Sequence, residues 1–259
     1  MNETSKAPTA LTIIGAGRLG RSIAAARESG GAGPTTLLGR DHAGHDLSGT
    51  VLLLCVPDRE IAAVATSIRE SGNLPHAIGH SSGATTLEPL AGCDTGGGSF
   101  SIHPLQTVPS GDTDLSGSPA AVAGSTGEAI GLATRIATGL GMEPFRVGEE
   151  DRALYHAAAS VASNFLITLE ETAASMLDGI GVGEPRRVLA PLVRQSLENW
   201  VDDGAGALTG PIVRGDVETV ASHREAISAS RPELLGFYDV LAGRTREVAG
   251  IGTAGEAPR

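Results

Sequence analysis

A glycine-rich segment between a short apolar run and a helical stretch limits the folds open to this chain more than any other feature. Residues 10–14 are apolar, residues 15–20 read G-x-G-x-x-G, and residues 21–29 have a helical pattern. In this setting the first glycine allows a tight turn, the second lets the backbone approach a pyrophosphate, and the third lets the helix pack on the strand. Free N–H groups at the helix start can then hold the phosphates.

This context predicts a dinucleotide-binding Rossmann domain, with a purely structural glycine turn as the alternative. The residues expected to contact the cofactor in this segment are Gly15, Gly17, Arg18, Leu19 and Gly20.

The end of the second predicted strand, residues 35–38, bears on the choice between NADP and NAD. About 20 residues past the glycines, NAD enzymes carry an acidic residue that holds the ribose 2′-hydroxyl. Arg40 stands there in this chain, and an arginine can pair with a 2′-phosphate. We therefore expect NADP as the cofactor, with Arg18 contributing to the same phosphate site. Asp41, directly after Arg40, leaves NAD as the alternative cofactor. Solvated arginines at the edge of a cleft are the alternative interpretation.

The remainder of the first half alternates strands and helices, with further strands at 50–56, 76–79, 99–102, 120–123 and 143–147. The run 50–56 is continuously apolar, as expected for a strand buried on both faces of a parallel sheet. The turns after such strands lie at the carboxyl edge, where open α/β sheets bind ligands. Val56, Pro57 and Ser81 are therefore further candidate cofactor contacts.

Two histidines follow predicted strands in this half, His80 and His103. Pro104 holds the preceding His103 in extended geometry, so its ring could point reproducibly into the cleft. We expect His103 to be catalytic, with a structural role in capping a loop as the alternative for both histidines.

The second half is predicted to be helical, with helices at 151–178, 185–203, 216–230 and 232–248. On the first of these, His156, Ser160, Ser163 and Asn164 share one face at i, i+4, i+7 and i+8. A polar face on an apolar helix either lines the cleft or forms hydrogen bonds between helices. We expect the former, with His156 and Asn164 catalytic and Ser160 contacting substrate.

Between the later helices, the segment 208–216 is predicted to be a loop of fixed geometry. Its Arg214 could bind a substrate carboxylate, and Asp216 caps the next helix.

Composition excludes several classes of partner. The net charge is −11, which argues against nucleic acid, and no apolar run approaches the ~20 residues needed to span a bilayer. The two cysteines form no metal or disulfide pattern, and the polar N-terminus lacks a signal peptide, so we expect a cytoplasmic protein without a metal. The predicted domains are 9–148 (Rossmann) and 149–249 (helical, substrate-binding and dimerising), with flexible tails at 1–8 and 250–259.

Several motifs together resemble a known group: GAGRLG, LCVPD, GHSSG, SIHPLQT, YHAAASVASN and LTGPIVRGD. Over nearly its whole length the chain is similar to bacterial Rossmann-like predicted oxidoreductases with a C-terminal domain of unknown function. More distantly it resembles the 6-phosphogluconate dehydrogenase-like superfamily, which includes 3-hydroxyacid dehydrogenases, ketopantoate reductase, pyrroline-5-carboxylate reductase and prephenate dehydrogenase. The resemblance implies an α/β Rossmann domain followed by an all-α domain that forms a homodimer.

The resemblance also implies an NAD(P)-dependent oxidoreductase that reduces the carbonyl of a small 2-oxo acid, with ketopantoate as a candidate. Related enzymes place a lysine on the long helix, but Lys6 is the only lysine of this chain. His156 or His103 would then donate the proton, with Tyr155 as the next candidate. The absent lysine also admits a non-catalytic NADP-binding sensor or scaffold, and the Rossmann half resembles reductases that use deazaflavin F420 with NADP.

Overall fold

The computed structural model describes residues 10–31, 33–39 and 42–251. The chain divides into two compact units, the first ending at Ser163 and the second beginning at Asn164. The predicted domain boundary at 148/149 stays a prediction. Of the predicted tails 1–8 and 250–259, only residues 250 and 251 lie within the described part of the chain.

The first unit is built on a single seven-stranded sheet in the order β2-β1-β3-β4-β5-β6-β7. The strands are β1 (Leu11–Ile14), β2 (Thr35–Leu38), β3 (Val51–Leu54), β4 (Ala77–His80), β5 (Ser99–Pro104), β6 (Pro119–Gly124) and β7 (Glu143–Arg146). Each predicted strand is confirmed to within two residues at its ends.

Helices cover both faces of this sheet. They are α1 (Arg18–Ser29), α2 (Asp58–Ser71) and α3 (Gly127–Gly139), and a fourth helix, α4 (Arg152–Ser160), follows β7. Successive side chains of a strand point to opposite faces, so Leu53 joins the core formed with α1 and α3, whereas Leu52 and Leu54 join the core formed with α2. Burial on both faces explains why β3 reads as a continuous apolar run.

The sheet has a switch point beside β1, because the chain leads first to β2 on one side and then to β3 on the other. Strands β1 to β5 are parallel, so their carboxyl ends share one edge. Ligands of open α/β sheets bind outside that edge at the switch point.

One part of the sheet is not parallel. Strand β6 pairs antiparallel with β5, and β7 is parallel to β6. The connection 105–118 between β5 and β6 contains no helix, and a connection without a crossover helix readily reverses the strand direction.

The second unit is helical in its described residues, to Ile251. Its α-helices are α5 (Leu166–Gly179), α6 (Pro185–Asp203), α7 (Pro211–Arg214), α8 (Val217–Ser230) and α9 (Leu235–Val248). Asp216 caps α8 as predicted, because its carboxylate accepts a hydrogen bond from the Thr219 N–H at 3.0 Å. The segment predicted to be a loop contains the short helix α7, which Pro211 can begin because the first turn needs no N–H donor there.

The single α-helix predicted over 151–178 is also corrected. A π-helix, Val161–Phe165, separates α4 from α5. Its i→i+5 hydrogen bonds accommodate an extra residue, so the helical register of α4 does not run unchanged into α5.

Candidate functional site

The glycine turn after β1 gives each of its three glycines a different environment. Gly15 has φ +119°, and a Cβ there would fall on the Cys55 carbonyl. A Cβ on Gly20 would fall on the Gly15 carbonyl, whereas one on Gly17 would meet nothing within 4 Å. Gly17 is also the N-cap of α1 and has no side-chain cap. The turn therefore presents bare backbone and the free N–H groups of a helix to open space, which fits a pyrophosphate.

A cavity of about 590 Å³ opens beside this turn at the switch point. The residues after β1, β2 and β3 line it, among them Gly15, Gly17, Gly39, Cys55, Val56 and Pro57. His42 also lines the cavity, and its Nδ1 is buried without a hydrogen-bond partner among the described residues. The shape and position of the cavity suit the adenosine half of a dinucleotide.

The other predicted cofactor residues differ in their surroundings. Arg18 is exposed. The Leu19 side chain packs partly against the core, as does that of Val56. Ser81 is buried, and its hydroxyl donates to the Leu54 carbonyl at 3.3 Å. Leu19 and Ser81 can therefore offer a cofactor mainly their backbone.

The prediction that Arg40 selects NADP falls on a residue outside the described part of the chain, as does Asp41.

Three aromatic side chains converge farther along the same edge of the sheet, past β4 and β5. The Tyr155 hydroxyl and His103 Nδ1 share a hydrogen bond of 2.7 Å, and their rings meet edge to face at 86°. The ring centroids of His103 and His156 are 6.0 Å apart. Gly83 lies between the imidazoles: a Cβ there would be 2.8 Å from His103 Cε1 and 2.9 Å from His156 Nδ1.

Burial keeps the hydrogen-bonded pair neutral. Desolvation, followed by the nearby His156, lowers the pKa of His103 to about 4. Desolvation likewise raises the pKa of Tyr155 to about 12, although the Arg152 charge opposes it. Near neutral pH both side chains are therefore uncharged, and very little of His103 is in the protonated imidazolium form.

His156 differs from its two neighbours, because its buried Nδ1 has no hydrogen-bond partner among the described residues. Buried polar atoms are nearly always satisfied, so this nitrogen is available to a bound molecule or to water.

A partly buried ion pair that the sequence analysis missed underlies this cluster. Arg152 is 4% exposed, and its Nε lies 2.5 Å from Glu149 Oε1. Its guanidinium also donates to the Ser101 hydroxyl on β5 and, at 3.3 Å, to the Ser82 carbonyl after β4. The other Glu149 oxygen accepts the Leu87 N–H at 2.6 Å. The i,i+3 spacing of Glu149 and Arg152 was the available signal.

Two further residues near this edge of the sheet, His80 and Cys55, have surroundings that indicate a structural role. His80 is fully buried, its Nε2 lies 3.1 Å from the Thr86 carbonyl oxygen, and burial lowers its pKa to about 4. Burial raises the pKa of the Cys55 thiol to about 12, so this cysteine is no thiolate nucleophile.

The remaining predicted site residues are not brought together with the cluster by any described contact. Ser160 is half-buried on α4. Ser163 donates its hydroxyl to the Ala159 carbonyl at 2.8 Å. Asn164 is exposed and Arg214 lies on α7, and both belong to the second unit. Arg214 donates to the Thr209 carbonyl at 2.5 Å. Their predicted roles stay predictions.

Over residues 10–31, 33–39 and 42–251, no group of three or more acidic, histidine or cysteine side chains is arranged to hold a metal ion. None of the helices in this described part has both the length and the apolar character needed to cross a membrane.

Comparisons with known proteins agree with this architecture. Residues 118–245, from β6 through most of α9, match the family model described as a domain of unknown function, DUF2520. No curated protein sequence matches the chain.

Solved structures match the chain over nearly its full length. A Thermotoga maritima protein is 22% identical with a TM-score of 0.75, over 93% of this chain and 98% of its own. A Bacteroides fragilis protein provisionally named an NADP oxidoreductase is 21% identical with a TM-score of 0.74 and the same coverage. A reductive aminase from Aspergillus terreus in complex with NADPH is 17% identical with a TM-score of 0.64, over 93% and 97%. These likenesses show the fold: a Rossmann-like α/β unit and a helical C-terminal region.

Proposed function

We propose that this chain is an NADP-dependent reductase acting on the carbonyl group of a small 2-oxo acid. The observation that carries the proposal is the meeting, at one sheet edge, of a glycine turn suited to pyrophosphate and a cluster of hydrogen-bonding rings. The turn follows β1, and the cluster of His103, Tyr155 and His156 lies where β4 and β5 end. A dinucleotide laid along this edge spans the ends of parallel strands in that order.

The residues of the first unit divide the work between binding and chemistry. The N–H groups at the start of α1 hold the pyrophosphate, and Gly17 leaves room for it. Bound nicotinamide supplies hydride to the carbonyl carbon. In this proposal the ring cluster supplies the hydrogen bond and the proton that the carbonyl oxygen needs, by general acid catalysis.

The choice of NADP rests on Arg40, which follows β2 in the sequence. It is supported by the similar structures, one named for NADP and one holding NADPH. His42, with its unpartnered Nδ1 in the cavity after β2, adds a second group able to face a ribose phosphate.

The 2-oxo acid, with ketopantoate as the first candidate, comes from the sequence resemblance. Asn164 would orient the carbonyl, Ser160 would contact the substrate, and Arg214 would bind the carboxylate. Arg214 uses one of its five N–H donors on Thr209, and a guanidinium with donors to spare suits a carboxylate.

The test is to follow NADPH oxidation by the purified protein with a panel of 2-oxo acids, ketopantoate first, and to repeat it with NADH. One imine is included, because the similar structures include a reductive aminase. Faster turnover of a 2-oxo acid with NADPH than with NADH is expected. Tight NADPH binding without turnover of any compound would instead favour a cofactor sensor.

We also propose that the helical unit forms a homodimer. Helices α5 and α6 expose large apolar side chains: Ile167 is 63% exposed, Leu192 67% and Trp200 62%. Exposed apolar surface on this scale is typical of an interface. Sedimentation of the purified chain should give twice the monomer mass of 26.1 kDa, and a monomer at micromolar concentration would contradict this proposal.

A further inference from the structure

We propose that the Tyr155 phenol is the group that protonates the substrate oxygen and that His103 is a positioning residue holding it in place. This inference rests on the proposed reductase function and names the proton donor within that site. The two tyrosines of the chain, Tyr155 and Tyr238, make it directly testable.

The Tyr155 hydroxyl lies beside the carboxyl end of β5, at the sheet edge to which the proposed function assigns the substrate. Helix α4 begins at Arg152, so Tyr155 lies in its first turn. The hydroxyl meets His103 Nδ1 at 2.7 Å, at the end of β5. The half-buried phenol is also packed edge to face with Phe145, at 6.0 Å between centroids. Two contacts therefore fix the ring of this half-buried side chain.

The hydrogen bond can serve catalysis in one tautomer of the imidazole. With its hydrogen on Nδ1, neutral His103 donates to the phenol oxygen and leaves the phenol O–H free to point at a substrate. As the carbonyl carbon accepts hydride, the C=O π pair moves onto oxygen, and that oxygen takes the Tyr155 proton. The O–H bonding pair remains on the phenolate, which the His103 N–H continues to stabilise. The half-exposed phenolate then regains a proton from water.

The positive charge of Arg152 favours proton transfer from Tyr155, whereas burial opposes it. Arg152 lowers the pKa of Tyr155 against the larger effect of burial, so its guanidinium stabilises a developing phenolate. The same surroundings lower the pKa of His103 to about 4. An imidazolium at His103 is therefore scarce near neutral pH, whereas the neutral phenol is fully populated.

The closing experiment compares Tyr155→Phe with Tyr238→Phe, and the second variant is a matched control. Tyr238 also bonds a histidine, His223 Nδ1 at 2.9 Å, with rings at 87°, but it lies on α9 in the second unit. Phenylalanine at 155 can keep the contact with Phe145, so the fold should survive. We expect Tyr155→Phe to lower kcat about a hundredfold, within the range for a lost general acid, without weakening NADPH binding. Tyr238→Phe should keep the wild-type kcat.

Two further readouts separate the role of each residue. His103→Asn, which keeps an N–H donor near the Nδ1 position, should recover much of the kcat lost in His103→Ala. The wild-type kcat for reduction should be flat in pH between the pKa values of His103 and Tyr155, about 4 and about 12, wherever the protein is folded. A rate that falls through neutral pH would point to a histidine donor and overturn the proposal.

Failure of this inference and failure of the reductase proposal give different results. Turnover by wild type together with a near-wild-type kcat in Tyr155→Phe overturns only the assignment of the proton donor. NADPH binding without turnover by wild type overturns both.

Discussion

Replacing Gly17 with alanine tests whether the glycine turn binds a cofactor or is merely structural. The added methyl group should weaken NADPH binding in the first case and leave it unchanged in the second. A Cβ on Gly17 would meet no protein atom within 4 Å. The backbone there has φ −73° and ψ −172°, which alanine adopts without strain. The methyl group would instead occupy the space assigned to the pyrophosphate.

The expected effect on stability is small. Alanine reduces the entropy of the unfolded chain, a gain of about 0.4–1 kcal/mol, but it is a poorer N-cap than glycine by a similar amount. The free energy of unfolding should therefore change by less than about 1 kcal/mol. NADPH binding should weaken much more, because a hydrogen bond to a charged phosphate contributes about 1.5–3 kcal/mol, at least about tenfold in Kd.

The assay is a fluorescence titration of NADPH together with urea unfolding of the same protein. Gly127→Ala is the matched control, since its Cβ also meets nothing within 4 Å and residue 127 is the first residue of α3, remote from the turn in sequence. The control should leave the NADPH Kd unchanged. A folded Gly17→Ala protein that binds NADPH as tightly as wild type would refute the placement of the pyrophosphate on this turn.

Two other substitutions test the packing and the buried charges of the site. Gly83→Ala places a Cβ 2.8 Å from His103 Cε1 and 2.9 Å from His156 Nδ1. The free energy of unfolding, measured by thermal unfolding, should therefore fall by about 1–3 kcal/mol, and kcat should be lower in steady-state assays. Wild-type values for both quantities would count against a close-packed cluster. His80 has a pKa of about 4 in the folded protein against 6.5 for the unperturbed group, so as pH falls through that window the unfolded state binds a proton first and the protein loses about 3 kcal/mol of stability. His80→Gln should remove that part of the pH dependence in urea unfolding, and an unchanged dependence would show that His80 does not cause it.

The fold was largely predictable from sequence because its signals are local and periodic. The glycine turn, the apolar run that became β3 and the four helical patterns each depend on residues close together in the chain. The π-helix Val161–Phe165 was not predictable, because its residues have no pattern that distinguishes it from α-helix. The direction of β6 was also open, since a long connection without a helix permits either direction.

The candidate site was only partly predictable, because its geometry depends on long-range contacts. His103 and His156 stood out as polar residues after a strand and on an apolar helix. The bond between His103 and Tyr155 joins residues 52 positions apart, and nothing in either local segment specifies it. Gly83 is likewise one glycine among 36, and nothing in its local sequence indicates that a Cβ there would meet two imidazoles.

The buried Arg152 explains how Tyr155 on α4 and His103 on β5 are brought together. Its guanidinium is held by Glu149, by Ser101 on β5 and by the carbonyl after β4. Arg152 is the first residue of α4, so these bonds fix both the position and the rotation of the first helical turn. Residue 155 then follows at i+3, on the same side of the helix as Arg152, and its hydroxyl meets the imidazole at the end of β5. The catalytic geometry proposed for Tyr155 thus depends on an ion pair whose one local signal is the i,i+3 spacing of Glu149 and Arg152, and removal of the guanidinium in Arg152→Met should lower kcat even where the protein stays folded.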